Sequence, residues 1–235
     1  MGISLSDLGI KGKIFCISMQ RSGTTSVGFF LERWGLKHLS RPVAMQNKLF
    51  WTRHVLDKNY KRVFSSEFFD KYEVFEDDPF WLRDFYKILH KKFPGSKFIL
   101  LERDSSSWFK SMIRHSNGYS TGISENHARI YEREQDFEWL KKNIPDFDGR
   151  KHKMVIFDKP EHYMNIYEKH YSEARQYFDS EEPDALFYGM LNDKDIWRRL
   201  SQWLNLPEVE GEYVSHRHKS SGPITVSQIK CLNEN

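Results

Sequence analysis

Cysteine is scarce in this chain: Cys16 and Cys231 are the only two among 235 residues. So few thiols, so far apart, build no disulfide framework and no CxxC metal knuckle, which points to a reducing compartment. Long apolar runs are missing as well, and no signal-peptide pattern precedes the first apolar segment. The expected location is therefore cytoplasmic, with no membrane span. Met1 to Ser6 (MGISLS) fits a myristoylation pattern, but a match this short recurs by chance. Charge of one sign is not concentrated, since 36 Lys and Arg stand against 33 Asp and Glu for a net +3. That mild balance suits a small anionic ligand and argues against nucleic acid as a partner. Internal repeats and low-complexity tracts are also lacking.

Aromatic residues are what the chain has in quantity. Its 18 Phe, 11 Tyr and 7 Trp are enough to fill a core despite a mean hydropathy of −0.70. The pattern of strands and helices alternates. Lys13 to Ser18 (KIFCIS) reads as a buried strand, and a helix follows to about Trp34, closed by Gly35. Asn47 to about Asn59 reads as a helix, Tyr72 to Glu76 as a second strand, and Phe80 to Lys92 as a helix opened by Pro79 with Trp81, Phe85 and Ile88 on one face. Lys97 to Leu101 (KFILL) is a third strand and Ser105 to about His115 a helix. Glu125 to Lys142 reads as one charged helix, and Lys159 to Phe178 as an amphipathic one. Ala185 to Met190 (ALFYGM) is a fourth strand, followed by a helix over Asp193 to Leu204. Short strands alternating with helices predict an α/β fold, a three-layer α/β/α arrangement around a mostly parallel sheet. The length suits a single domain over 1–235, with an insert at about 116–145 and a tail from about 208.

Ligands of such sheets sit beyond the carboxyl ends of the strands, and three polar clusters fall there. The first is Arg21-Ser22-Gly23-Thr24-Thr25-Ser26, between a strand and a helix. Gly23 lets the backbone approach a ligand, three hydroxyls supply donors, and Arg21 supplies a permanent charge, which together make an anion cradle at a helix N-terminus. A plain Ser/Thr-capped helix is the alternative reading. A Walker A loop would need GxxxxGK followed by Ser or Thr, and the first Gly and the Lys are both absent, which weakens a kinase or ATPase reading. The second cluster is Asp77-Asp78 before Pro79. Arg103 at the end of the third strand, with Ser111 eight residues on, is the third; a guanidinium and a hydroxyl so placed can reach one phosphate.

These residues resemble the sulfotransferases that use 3′-phosphoadenosine-5′-phosphosulfate (PAPS), most of all the soluble branch with Arg in the first loop. The loop Arg21 to Ser26, the Arg103–Ser111 spacing with Trp108 between them, the acidic residue and Pro after the second strand, and the closing ALFYGM and DIWRRLSQWLNLP blocks carry the likeness, over roughly residues 13 to 207. The resemblance implies a P-loop-like sulfotransferase fold and metal-free transfer of a sulfonate group from PAPS to a hydroxyl or amine, leaving 3′-phosphoadenosine-5′-phosphate. It implies that Arg21 neutralises charge on the leaving phosphate, that Ser22, Gly23, Thr24, Thr25 and Ser26 hold the 5′-phosphosulfate, and that Arg103 and Ser111 hold the 3′-phosphate. It also implies that Arg217 or Lys219 in the tail would close over the nucleotide, with a plain solvated tail as the alternative reading.

Asp77, two residues before the Pro, takes the place of the general base in this resemblance. An Asp ordinarily titrates near about 3.9, so it would need burial or a carboxylate neighbour, Asp78 or Glu76, to serve. On strand alternation Asp78 points to the opposite side from Asp77. A helix cap at Pro79 is the competing role for either. Asp78, His54, Trp81 and Tyr119 are the further candidates on the acceptor side, with His54 a rival base and His170 a structural hydrogen-bonder. The acceptor is a small molecule or a glycan: the aromatics of the insert suit a phenol or alcohol, while Arg129, Arg133 and Lys141 suit an anionic sugar. Two other functions remain open, a P-loop phosphotransferase and a non-catalytic module binding a nucleotide or sulfated glycan.

Overall fold

A computed structural model describes residues 2–207. They fall into two compact units, residues 2–103 with 170–207, and residues 104–169. The first unit carries five parallel strands: β1 (Ile14–Cys16), β2 (His38–Leu39), β3 (Val74–Phe75), β4 (Lys97–Glu102) and β5 (Leu186–Met190), in the order β2-β3-β1-β4-β5. The helices in chain order are α1 (Thr24–Glu32), α2 (Arg41–Gln46), α3 (Trp51–Leu56), α4 (Tyr60–Phe64), α5 (Glu67–Lys71), α6 (Phe85–Lys92), α7 (Ser105–Ser116), α8 (Ser124–Ile130), α9 (Glu134–Asn143), α10 (Pro160–Glu181) and α11 (Ile196–Trp203). The fold class is α/β, as the alternating pattern predicts.

The sheet has two chemically different faces, and the period-2 alternation of strand side chains produces them. Ile14, Cys16, Val74, Ile99 and Leu101 point to one face, where α1 (Val27, Phe30, Leu31) and α11 (Ile196, Leu200) complete an aliphatic core. Phe15, Phe75 and Phe98 point to the other. There Phe69 of α5 stacks on Phe75 with ring centroids 4.6 Å apart, and Phe178 of α10 lies 4.7 Å from Phe98. Phe15 is the centre of this aromatic face, with Phe75 and Phe98 each at 5.5 Å. Helices on both faces make three layers. Aromatic pairs at these separations contribute about 0.5–1.5 kcal/mol each beyond their buried area.

The second unit contains α7, α8, α9 and residues 160–169 of α10. Its centre is a polar chain. Arg133 Nη1 donates to the Tyr163 hydroxyl at 2.9 Å, and that hydroxyl lies 2.8 Å from His127 Nε2. Burial holds the His127 pKa down to about 3, so the ring is neutral and accepts the Tyr163 proton. Trp108 of α7 stacks on Tyr167 at 4.4 Å, giving this unit an apolar anchor as well.

Several sequence readings are corrected. The expected helix from Asn47 to Asn59 is only α3, because Lys48 and Lys58 adopt left-handed backbone (φ 53° and 56°) and turn the chain at either side. The helix expected from Phe80 begins at Phe85, after a left-handed Asp84 (φ 54°). A left-handed Glu132 likewise divides Glu125 to Lys142 into α8 and α9. Strand β2 was not expected at all; two residues carry no readable period.

Candidate functional site

The site is assembled at the carboxyl ends of β1, β3 and β4, within the first unit. The chain leaves β1 through Ile17 and Ser18, both fully buried, and is pinned at each step. His170 Nε2 lies 2.8 Å from the Ile17 carbonyl, and the Ser18 hydroxyl accepts the Leu101 amide at 2.7 Å. The Met19 amide donates to the Tyr171 hydroxyl, which donates in turn to the Leu101 carbonyl. His170 thus has the structural role expected of it.

Beyond Met19 the loop turns through two left-handed residues, Arg21 (φ 68°) and Gly23 (φ 86°). At Gly23 a Cβ would stand 2.7 Å from Leu191 Cδ1, so both the backbone angle and the space call for glycine. Val27 donates to the Gly23 carbonyl at 3.1 Å as α1 begins. Thr24, Thr25 and Ser26 form the first turn of α1. Their amides and the helix dipole face the start of α1.

Arg103 Nη1 donates to the Arg21 carbonyl at 3.1 Å and joins the end of β4 to this loop. The two guanidiniums repel: burial first, then the Arg103 charge, lowers the proton affinity of Arg21, while Asp77 opposes both. Two cations held together over a helix N-terminus form a place that an anion would stabilise.

The carboxylates lie beside this cradle. Asp77 is left-handed (φ 65°), and this twist ends the strand alternation on which opposite orientations for Asp77 and Asp78 were expected. Both instead turn toward one guanidinium: Arg41 Nη1 is 3.0 Å from Asp77 Oδ2 and 3.8 Å from Asp78 Oδ2. No helix opens at Pro79, so neither residue caps one there. Burial, then the charge of Asp77, pushes the Asp78 pKa up to about 7, with Arg41 and Trp81 favouring the ionised form. Trp81 is buried. Behind the pair, Glu76 and His38 are also buried, with His38 Nε2 3.4 Å from Glu76 Oε1.

The structure therefore brings together Arg21, Ser22, Gly23, Thr24, Thr25, Ser26, Arg103, Asp77, Asp78 and Trp81. His54 sits half-buried on α3, and none of the hydrogen bonds or ion pairs seen among the described residues joins its side chain to the carboxylates. Ser111, on α7, and the exposed Tyr119 belong to the second unit. Arg217 and Lys219 lie outside the described residues. Arg41 and His38 were missed by sequence reasoning. Arg41 is contributed by a short helix that buries none of its residues, and His38 by a strand too short to recognise.

Among the described residues no group of three or more His, Cys, Asp or Glu is arranged to hold a metal ion, and no helix is long and apolar enough to cross a membrane. A comparison with curated proteins finds no match. The family model described as Sulfotransferase domain covers residues 13–220, and on that match the chain belongs to the sulfotransferase family.

Proposed function

We propose that the protein transfers a sulfonate group from PAPS to a hydroxyl or amine of a small-molecule or glycan acceptor. The observation that carries this reading is the pairing of Arg103 with the Arg21 loop at the N-terminus of α1. Two permanent cations and a row of helix-start amides match the phosphates of such a donor, and the loop has no lysine of the kind a Walker A phosphotransferase uses.

In this proposal the donor supplies an activated sulfonate, and the chain supplies position and charge. Asp77 takes the proton of the acceptor as the acceptor oxygen or nitrogen bonds to sulfur. Arg21 faces the bridging phosphate oxygen, which gains negative charge as its bond to sulfur breaks. Arg21 stays protonated throughout and acts by charge. Asp78, whose raised pKa suits proton transfer near neutrality, is the second candidate base on that observation.

Calorimetric titration with 3′-phosphoadenosine-5′-phosphate in the presence of EDTA tests the donor assignment. Metal-free binding in the micromolar range that weakens at least tenfold in Arg103→Ala is the expected result. No binding to the unmodified protein would overturn it. Asp77→Asn and Asp78→Asn then identify the base: the variant that loses kcat by about 100-fold or more with the donor still bound marks the proton acceptor.

A further inference from the structure

Beneath the carboxylate pair lies a chain of titratable groups that the transfer step above does not use. Strand alternation turns Glu76 to the same face as Val74, toward α1, and His38 of β2 occupies the space beside it. Their side chains are 1% and 0% exposed, with Nε2 to Oε1 at 3.4 Å. On its far side His38 Nδ1 is 3.8 Å from Glu32 Oε2, a carboxylate that is 55% exposed. Gly28 makes the room: a Cβ there would stand 2.3 Å from His38 Cε1 and Nε2. Both ring nitrogens and Glu76 Oε2 are shielded from solvent with no well-formed hydrogen bond among the described residues.

This arrangement connects with the anion loop. The Thr24 hydroxyl, at the first position of α1, interacts with the Glu76 carboxylate and favours its ionised form. Burial is the largest influence and favours the protonated form; His38 opposes it and Asp77 adds to it. The other charged or titratable groups acting here are Asp78, Arg41 and the buried Cys16 thiol, with Arg21 acting through Asp77. An ionised Glu76 behind a phosphate-binding loop repels the ligand that the loop is built to take. A protonated one does not, and it keeps a hydrogen-bonding group next to Thr24.

We infer that His38 and Glu76 form a positioning pair for the donor loop, and that the nucleotide binds with uptake of one proton from solvent onto this pair, by way of the Glu32 side. The inference rests on the donor assignment proposed above. Nothing is oxidised and no covalent bond other than the one to the proton changes. The sign follows directly: an added anion stabilises the protonated pair, so binding draws a proton in and affinity falls as pH rises, by up to about tenfold per unit where a full proton is linked.

The test is calorimetry with 3′-phosphoadenosine-5′-phosphate at pH 7 in two buffers of different ionisation enthalpy, on the unmodified protein, Glu76→Gln and His38→Gln. Proton exchange by the nucleotide itself is common to all three. The unmodified protein should show an additional uptake that Glu76→Gln and His38→Gln lose while still binding. Equal uptake in Glu76→Gln would overturn the inference while leaving the donor assignment intact. Absence of binding in the unmodified protein would overturn the donor assignment itself. If Glu76→Gln does not fold, the Glu76 carboxyl carbon read by NMR in the unmodified protein decides the matter. A shift toward the protonated carboxyl on adding nucleotide supports the pair, and no shift refutes it.

Discussion

The hydroxyl of Tyr171 donates to the carbonyl oxygen of Leu101 at 2.9 Å, and the same hydroxyl accepts the amide of Met19 at 3.2 Å. One oxygen thus ties the exit of β1 to β4, just ahead of the anion loop. Tyr171→Phe keeps the ring and leaves two buried backbone groups without that partner, at a cost of about 1–3 kcal/mol. Thermal unfolding should move down accordingly, and nucleotide affinity should weaken because the loop loses its anchor. Unchanged stability and affinity would show the bridge to be dispensable.

Gly23 is the residue of the loop that tolerates a side chain least. Gly23→Ala places an alanine at φ 86°, which costs about 1–2 kcal/mol, and crowds Leu191. The Leu191 methyls can rotate away, so the backbone angle is the larger effect. Affinity for 3′-phosphoadenosine-5′-phosphate is expected to fall more than tenfold while the protein still folds. An alanine variant that binds like the unmodified protein would refute the role given to this turn.

The stability of the protein should depend on pH through Asp78. Its folded pKa of about 7 lies above the ordinary aspartate range, so ionisation is harder in the folded state. Stability is then lost as pH rises from about 4 toward 7, the opposite of an ion-paired aspartate. Asp78→Asn has no charge to bury and should unfold at a higher temperature than the unmodified protein at pH 8, by an amount on the order of 1 kcal/mol, since the side chain is partly exposed. The gain should vanish near pH 4. Arg41→Ala removes the favouring cation and should move the Asp78 titration further upward, which NMR of the carboxyl carbons would follow. An equal gain at both pH values would rule out the buried charge as its origin.

In the second unit, Arg133 donates to Tyr163 and Tyr163 to neutral His127, so the hydroxyl is the middle of a directed chain. Tyr163→Phe should destabilise the protein by about 1–3 kcal/mol. Hydrogen exchange should speed up most in residues 104–169. A uniform rise across the chain, or none, would argue against this unit having a stabilising network of its own.

What the sequence reveals follows the length over which each signal extends. β4 and α10 are long enough for their period to be read, and their positions match expectation to within a few residues. Breaks at Lys48, Lys58, Asp84 and Glu132 were not legible, because left-handed backbone at an ordinary polar residue leaves no compositional mark. At the site, Gly23 and the run of hydroxyls mark a turn into a helix, which suits an anion loop and a plain capped helix equally until Arg103 is set beside it. Arg103 was singled out by its place after a strand and its spacing to Ser111, read beside the first loop. Arg41 reaches Asp77 across 36 residues of separation, and only folding reveals that contact. Asp77 and Asp78 were singled out together, and the structure places both beside Arg41, but their orientation depended on a single backbone angle.

The helix α2 has no buried residue, yet its Arg41 reaches the carboxylates of the site. Positions without core contacts accept substitution at little cost, whereas the loop after β1 is bound to fully buried neighbours at nearly every step. Over evolutionary time the two parts of the site are free to change at different rates. The loop after β1 is held fixed by the core, and α2 itself can be rewritten residue by residue without endangering the fold.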